Sequence, residues 1–288
     1  MKFAFIQRHT GSFAVRAMCL VLKVSASGYY RWKRDPVGRR ALRRAELVAA
    51  IRSVHEQSRS VYGSPRVHRA LIAMGRKVCR NTVARVMTTH GIRARTHRRF
   101  RVRTTDSRHD YPIAPNLLDR RFTAQRPDQV WLTDLTYIPT DEGFLFLAGV
   151  MDMFSRRIVG WSMADHLRSR LAVDALNMAL KNRRPGAGLL HHSDRGVQYA
   201  CAQYRAILRR RGILISMSRV GDCYDNAPQE SLWGKLKQEL VHGRRFATRA
   251  EARAAVFEWI EVFYNRQRLH SALGYVSPER FEAMTVRK

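Results

Sequence analysis

Cysteine is scarce and scattered in this chain. Cys19, Cys79, Cys201 and Cys223 form no CxxC pair, which disfavours both a zinc ribbon and a disulfide framework. Long apolar runs are missing too. The longest near the start, Ala17 to Leu22, lies between Arg16 and Lys23. It is shorter than the roughly 18 residues that span a bilayer, and too short for a signal peptide. Acids are the third shortage: 23 Asp and Glu stand against 53 Lys and Arg, for a formal net charge of +30. Apolar residues nevertheless make up 45% of the 288, so the chain buries real cores and is not a disordered polycation. About two domains are expected at this length.

The shortage of acids is uneven. Residues 1–100 hold 23 Lys and Arg and only Asp35, Glu46 and Glu56. Such a field attracts phosphates and releases their counterions, whatever the base sequence. Charge alone does not separate DNA from RNA or anionic lipid. Membrane binding is the weaker option, because no long basic amphipathic helix with a bulky aromatic face is present.

Two helical units are read in this third. Over 1–40, Ser12 caps a helix through Leu22 with Phe13, Ala17, Leu20 and Val21 inward. Tyr29, Tyr30 and Trp32 follow as packing residues rather than base-stacking platforms. Over 41–100, Ser64-Pro65 opens a helix with Val67, Leu71 and Met74 inward, ended by Gly75. Asn81 caps the next, which carries Val83, Val86 and Met87 and closes at Gly91. Two short helices with a glycine joint fit a helix-turn-helix, with Arg80, Thr82 and Arg85 facing outward to DNA; the alternative is an ordinary helical hairpin. Residues 101–125, with Pro112 and Pro115, read as a basic linker. The run Arg93 to Arg103 is either an arm that tracks a nucleic-acid backbone or a solvated connector.

From residue 126 the pattern changes. Val130–Ile138, Phe144–Met151 and Ile158–Met163 read as three strands joined by turns. Ser169 opens a helix with Ala172, Ala175, Leu176 and Ala179 inward. Leu189–His192 is a short strand, followed by a helix with Tyr204, Ile207 and Leu208 inward. Ile213–Met217 is a fifth strand, and a helix runs from about Ala227 to Leu240. Further on, Thr248 and Glu251 form a capping box ahead of the apolar stripe Ala252, Val256, Trp259 and Phe263. Three hairpin-linked strands followed by alternating units predict an α/β domain over 126–288, with a mixed five-stranded sheet and flanking helices.

Within this domain, Asp134 interrupts an apolar strand, where a charge needs compensation. Asp194 sits at the end of a strand, where open α/β sheets place their chemistry. Glu230 falls in the first turns of a helix. If the first and fourth strands are neighbours, the first two acids converge and the last helix can bring the third. Three close carboxylates repel one another unless cations sit between them. Hard oxygen donors without nearby cysteine suit Mg²⁺, and two such ions suit phosphoryl transfer. Each acid also has a structural reading, as a turn residue or as an answer to a helix dipole. Asp152, Asp222 and Asp225 compete with them.

The motifs Trp131-Leu132-Thr133-Asp134-Leu135-Thr136-Tyr137, His192-Ser193-Asp194-Arg195-Gly196-Val197-Gln198-Tyr199 and Asp225-Asn226-Ala227-Pro228-Gln229-Glu230-Ser231-Leu232-Trp233-Gly234-Lys235-Leu236-Lys237 together resemble transposases of the bacterial insertion-sequence-three family. Those are relatives of retroviral integrases. The 35 residues between Asp194 and Glu230 are that family's spacing. Val150 to Trp161, Tyr62 to Val67, and Tyr264-Asn265-Arg266 through Tyr275 resemble it as well.

The resemblance implies a ribonuclease-H-like core that cuts and joins DNA at element ends, with Asp134, Asp194 and Glu230 as catalytic and metal-binding residues. Two Mg²⁺ ions are expected, with Mn²⁺ as a substitute, and no covalent protein–DNA intermediate. It implies double-stranded DNA as partner, both element ends and target, and a homo-oligomer on that DNA. It also implies fusion to, or action with, a small helix-turn-helix protein of the upstream reading frame, and a cytoplasmic, nucleoid-associated location in a bacterium. The zinc module of retroviral integrases has no matching ligand set, so no structural zinc is expected. Lys237, together with Lys235, is expected to hold a DNA-end phosphate; the alternative is a solvated helix face. His191 and His192 read as strand-end packing. Two rivals stay open: a helix-turn-helix regulator with an inactive integrase-like core, and a structure-specific nuclease on the same fold.

Overall fold

The computed structural model describes residues 1–35, 38–95, 111–219 and 223–286. They form two compact units, Met1–Ala94 and Arg95–Lys288. Asp222 and most of the run Arg93 to Arg103 lie outside the described residues. Among the described residues no helix is long and apolar enough to cross a membrane.

The first unit is all helical: α1 (Lys2–Arg8), α2 (Val15–Val21), α3 (Ala26–Arg34), α4 (Arg39–Gln57), α5 (Ser64–Ala73) and α6 (Arg80–Thr89). The first three share a small core of Ile6, Met18, Cys19 and Tyr29. This corrects the expected face of α2. Ser12 does not cap it, since Ala14 stands at the N-cap without a side-chain bond. Phe13, Leu20 and Val21 are exposed. Val15, Met18, Cys19 and Leu22 instead make the inward stripe, at helical spacing. Tyr30 is exposed while Tyr29 is buried.

In the second half of this unit α4 packs with α5 and α6. Val67, Leu71, Val83, Val86 and Met87 are buried as read from the sequence, but Met74 is exposed. The helix starts also differ by a residue or two: Gly63 and Cys79 take the N-cap positions instead of Ser64 and Asn81. Gly75 and Gly91 follow the helices with φ of 79° and 65°, a backbone that glycine adopts without strain. Arg80 and Arg85 are exposed on α6, whereas Thr82 is half-buried and its hydroxyl lies 3.1 Å from Cys79 Sγ.

The second unit holds the sheet: β1 (Val130–Thr140), β2 (Gly143–Asp152), β3 (Ile158–Ala164), β4 (Leu190–Ser193) and β5 (Leu214–Met217). Their order is β3-β2-β1-β4-β5. The first three strands are antiparallel, and β4 and β5 run parallel to β1. Helix α7 (Ser169–Arg183), the short α8 (Val197–Ala200) and α9 (Ala202–Arg210) cover one face. Their side chains meet Trp131, Ala148, Val150 and Val159 in the main core. The sequence continues in α10 (Ala227–Leu236), a π-helical turn Lys237–Val241, α11 (Arg249–Glu258), a π-helical stretch Trp259–Gln267 and α12 (Pro278–Val286). The helix expected to run to Leu240 therefore widens at Lys237. One half of the capping box is formed: Glu251 N–H donates to Thr248 Oγ1 at 3.1 Å, while the Glu251 carboxylate accepts from Ala247 N, one residue ahead of the cap, at 3.1 Å.

Residues 115–118, read from the sequence as part of a linker, lie against β5. The Leu117 and Leu118 amides donate to Ser216 Oγ at 2.9 and 3.3 Å, and Leu118 is buried. Strands need their edges covered, and this extended stretch covers that one.

Gly149 explains how α10 can lie on the sheet. It pairs with Asp134 across β1 and β2. A methyl group on it would sit 2.6 Å from Cη2 of Trp233, so the indole rests on bare backbone. Gly149→Ala is expected to lower stability by about 1–3 kcal/mol, as overpacking does, and to lift α10 away from β1. Urea unfolding measures the first effect; loss of DNA-end cleavage well beyond the unfolded fraction reports the second. An alanine variant with parental stability would show that the indole has room to yield.

Candidate active site

Parallel pairing builds the site. In the β1–β4 register Leu132 stands beside His192, so Asp134 and Asp194 lie level, each two residues further along. Asp134 is in mid-strand; Asp194 is the first residue after β4. The β1–β4 adjacency assumed from the sequence is therefore real, and it brings two acids together from stretches 60 residues apart. Glu230, exposed on the first turn of α10, completes the group.

The three carboxylates are close enough to act on one another. Burial pushes the Asp134 carboxyl well above the usual carboxylate range; the charge of Asp194 adds to this, and that of Glu230 adds less. Asp134 Oδ1 accepts from the Leu135 amide at 2.8 Å, and Asp194 Oδ1 accepts from the Gly196 amide at 2.9 Å. Each aspartate is thus held by its own backbone. Among the described residues, no three His, Cys, Asp or Glu side chains are gathered tightly enough to hold a metal ion as they stand. The carboxylates are neighbours rather than a formed cage.

Lys237 joins them. It is half-buried at the start of the π turn. Desolvation lowers its ammonium pKa, and the charge of Asp134 opposes that. Its Nζ lies 4.6 Å from the centre of the Tyr137 ring. Lys235 is half-buried on α10. Arg80, Thr82 and Arg85 belong to the first unit.

Two of the competing acids, Asp152 and Asp225, hold local structure. Asp152 is fully buried and accepts from Asp128 N at 2.7 Å and from Ser155 N and Oγ at 2.9 and 3.0 Å. Asp225 is a hub that composition did not reveal. It accepts from Asn116 Nδ2 at 2.9 Å, Arg219 N at 2.8 Å and Arg120 Nε at 3.2 Å. Its neighbour Asn226 donates to the Thr133 carbonyl at 3.1 Å. Together they pin the start of α10 beside β1 and so place Glu230. The sequence signal was the Asp-Asn pair just before a helix, but apart from Arg219 its partners Asn116, Arg120 and Thr133 are about 100 residues away.

His191 and His192 are buried and neutral at pH 7. Burial lowers their pKa values to about 3 and about 4 respectively. His191 Nε2 meets Tyr204 Oη at 2.8 Å, and His192 Nδ1 meets Ser216 Oγ at 2.8 Å. Both knit strands and helices together and lie outside the chemistry.

Known proteins share this organisation. Residues 124–223 and 211–278 match integrase core domain families, and residues 42–100 match an HTH-like domain family. The chain is 46% identical over 264 residues to the insertion element IS600 uncharacterized 31 kDa protein of Shigella sonnei, covering 92% of this chain and 97% of that one. It is 42% identical over 284 residues to transposase InsF for insertion sequence IS3A of Escherichia coli (strain K12), covering 98% of each. This chain belongs to the insertion-sequence-three transposases. It is a DNA transposase, hence a polynucleotidyl transferase. Its catalytic core is the ribonuclease-H-like mixed sheet of integrases, and an HTH-like region precedes it. Among solved structures, the HTLV-2 integrase catalytic core domain in complex with magnesium aligns with a TM-score of 0.43 and 14% identity, over 56% of this transposase and 99% of that chain.

Proposed function

We propose that the transposase cleaves DNA at the ends of its element and joins the freed 3′ ends to target DNA by divalent-metal-dependent phosphoryl transfer. Asp134, Asp194 and Glu230 are the ligands, and the ions are Mg²⁺, two in number, with Mn²⁺ as a substitute. One observation carries this reading: the parallel pairing of β1 and β4 sets Asp134 and Asp194 level, and the charges of Asp194 and of Glu230 on α10 both act on Asp134. The donor set fits the ion, since hard oxygens in mutual repulsion are what a magnesium ion relieves. When bound, the ions activate the attacking water or 3′-hydroxyl and neutralise charge on the phosphate and the leaving oxygen.

The chain's own contribution is placement. The Leu135 and Gly196 amides fix the two aspartates, and the Asp225 and Asn226 bonds fix the root of α10. Lys237 offers its ammonium to a phosphate of the DNA end beside Asp134. The basic first unit, with Arg80 and Arg85 exposed on α6, supplies duplex affinity through its HTH-like region. Two ends must be brought together, so a homo-oligomer on DNA belongs to this reading, as does cooperation with an upstream-frame helix-turn-helix protein. The site is expected to work in the bacterial cytoplasm on nucleoid DNA.

The deciding experiment incubates the protein with a labelled duplex from its own element end, in Mg²⁺ or in EDTA. Nicking and joining in Mg²⁺ alone support the reading, and products in EDTA sink it. Lys237→Glu is expected to weaken binding of that end about tenfold and to flatten its salt dependence by about one phosphate contact. Unchanged binding across a salt series would remove Lys237 from the DNA interface.

A further inference from the structure

Helices α1, α2 and α3 form a module of their own ahead of the HTH-like region. Four residues, Leu22 to Ser25, join α2 to α3. Lys23 turns the chain there with a left-handed φ of 52°, and the Val24 amide donates back to the Cys19 carbonyl at 2.9 Å. Ser25 caps α3, its Oγ accepting from the Gly28 amide at 3.0 Å. Helix α1 braces the pair: Lys2 Nζ donates to the Leu22 carbonyl at 2.9 Å, and Tyr29 Oη donates to Gln7 Oε1 at 2.7 Å. A short helix, a tight turn and a second helix make the frame that carries a recognition helix to DNA.

The two faces of α3 differ. Tyr29 is buried, and Trp32 packs half-buried against the same core. The opposite face presents Ser27, Tyr30, Arg31 and Arg34, all exposed, at the spacing of one helical stripe. Exposed Lys33 flanks it. Residues 1–35 hold seven Lys and Arg against one acid, Asp35, so the field there attracts phosphate. A narrow polar stripe with an arginine at its centre fits the major groove of B-form DNA, which admits a helix and shows base edges to it. The major groove of A-form RNA is closed to side chains, and a membrane surface calls for a bulky apolar face that this stripe lacks.

We propose that α3 is a second recognition helix, which reads the element end at base pairs other than those under α6. Arg31 bonds the O6 and N7 of a guanine, and Lys33 and Arg34 hold flanking phosphates. One stretch of groove admits one helix, so each end carries two separate blocks of essential bases. The inference extends the reading of the first unit as the binder of the DNA end.

The test is binding of the full chain, in EDTA, to a labelled duplex from the element's own end, sparsely methylated at guanine N7. An unrelated duplex of equal length is the control. Methylation should block wild-type binding in two separate blocks. Arg31→Ala should become indifferent to methylation in one block, keep the other, and bind the end about tenfold more weakly. Arg31→Lys keeps the charge and loses the two-pronged fork. It should lose the same block while binding the unrelated duplex within about twofold of wild type. Arg80→Ala combined with Arg85→Ala should lose the other block.

An unchanged pattern in both Arg31 variants would overturn the second recognition helix. Equal weakening of Arg31→Lys on the end and on the unrelated duplex would overturn it too, since that marks a phosphate contact or a folding defect. A wild-type pattern untouched by the Arg80 and Arg85 changes would instead sink the reading of α6 as a DNA-binding helix, while the Arg31 variants would still decide the case of α3.

Discussion

Asp134→Asn, Asp194→Asn and Glu230→Gln will each abolish cleavage and joining of element-end DNA, by about 10³-fold or more, and will leave duplex binding within about twofold. The size follows from what metal ions supply, several kcal/mol of transition-state stabilisation, at about 1.4 kcal/mol per factor of ten. The unchanged binding follows from charge. Affinity for DNA comes from cations, and each of these carboxylates repels phosphate. A stability readout separates metal binding from mere shape. The folded pKa of Asp134 lies above its unfolded value. Between the two, the native state holds the extra proton, so metal-free stability falls as pH rises through that window. Asp134→Asn removes this penalty, and in EDTA at neutral pH it should melt at or above the parent's temperature, with a flatter pH profile. Mg²⁺ should raise the melting temperature of the parent and not that of the variant. An active variant at any of the three positions would end the assignment of that residue.

Much of this site was legible because it breaks local rules. Asp134 stood out as a charge in an apolar strand. The level placement of Asp134 and Asp194 follows once β1 and β4 are adjacent, which the strand–helix–strand order favours. The capping box at Thr248 was readable because it is local, spanning four residues. The misreadings share a cause, which is that the partner is remote. Phe13, Leu20 and Val21 looked like an inward stripe, yet α1 and α3 select Met18 and Cys19 instead. Helix α4 escaped notice because its first two turns are exposed and arginine-rich, which blurs the apolar period. Asp225 passed for a competing acid because its role lies in bonds to Asn116 and Arg120. The π turn at Lys237 leaves no local trace; its Glu239 is paired with a guanidinium from beyond the next two helical segments.

That guanidinium sets the largest stability effect expected in the molecule. Arg268 is 2% exposed and Glu239, inside the π turn, is 7% exposed. Arg268 Nε reaches both Glu239 oxygens, at 3.0 and 2.9 Å, and its Nη2 bonds the first of them as well. Removing one partner strands the other's charge in the interior, which costs about 3–5 kcal/mol. Arg268→Met and Glu239→Leu should each lower the unfolding free energy by about that amount. Replacing both with apolar groups leaves no orphaned charge, so the double variant should recover most of the loss, with a coupling of about 3 kcal/mol in the double-mutant cycle. Urea denaturation measures all four corners. Single variants that cost less than about 1 kcal/mol would mean that water reaches the pair and that something else holds the π turn. The same double variant also tests what the ion pair does beyond holding the fold together. Lys237 opens the turn that Glu239 anchors, so a stable protein without the ion pair should bind the element end more weakly than the parent if the pair sets the angle of that ammonium, and equally well if helix packing alone sets it.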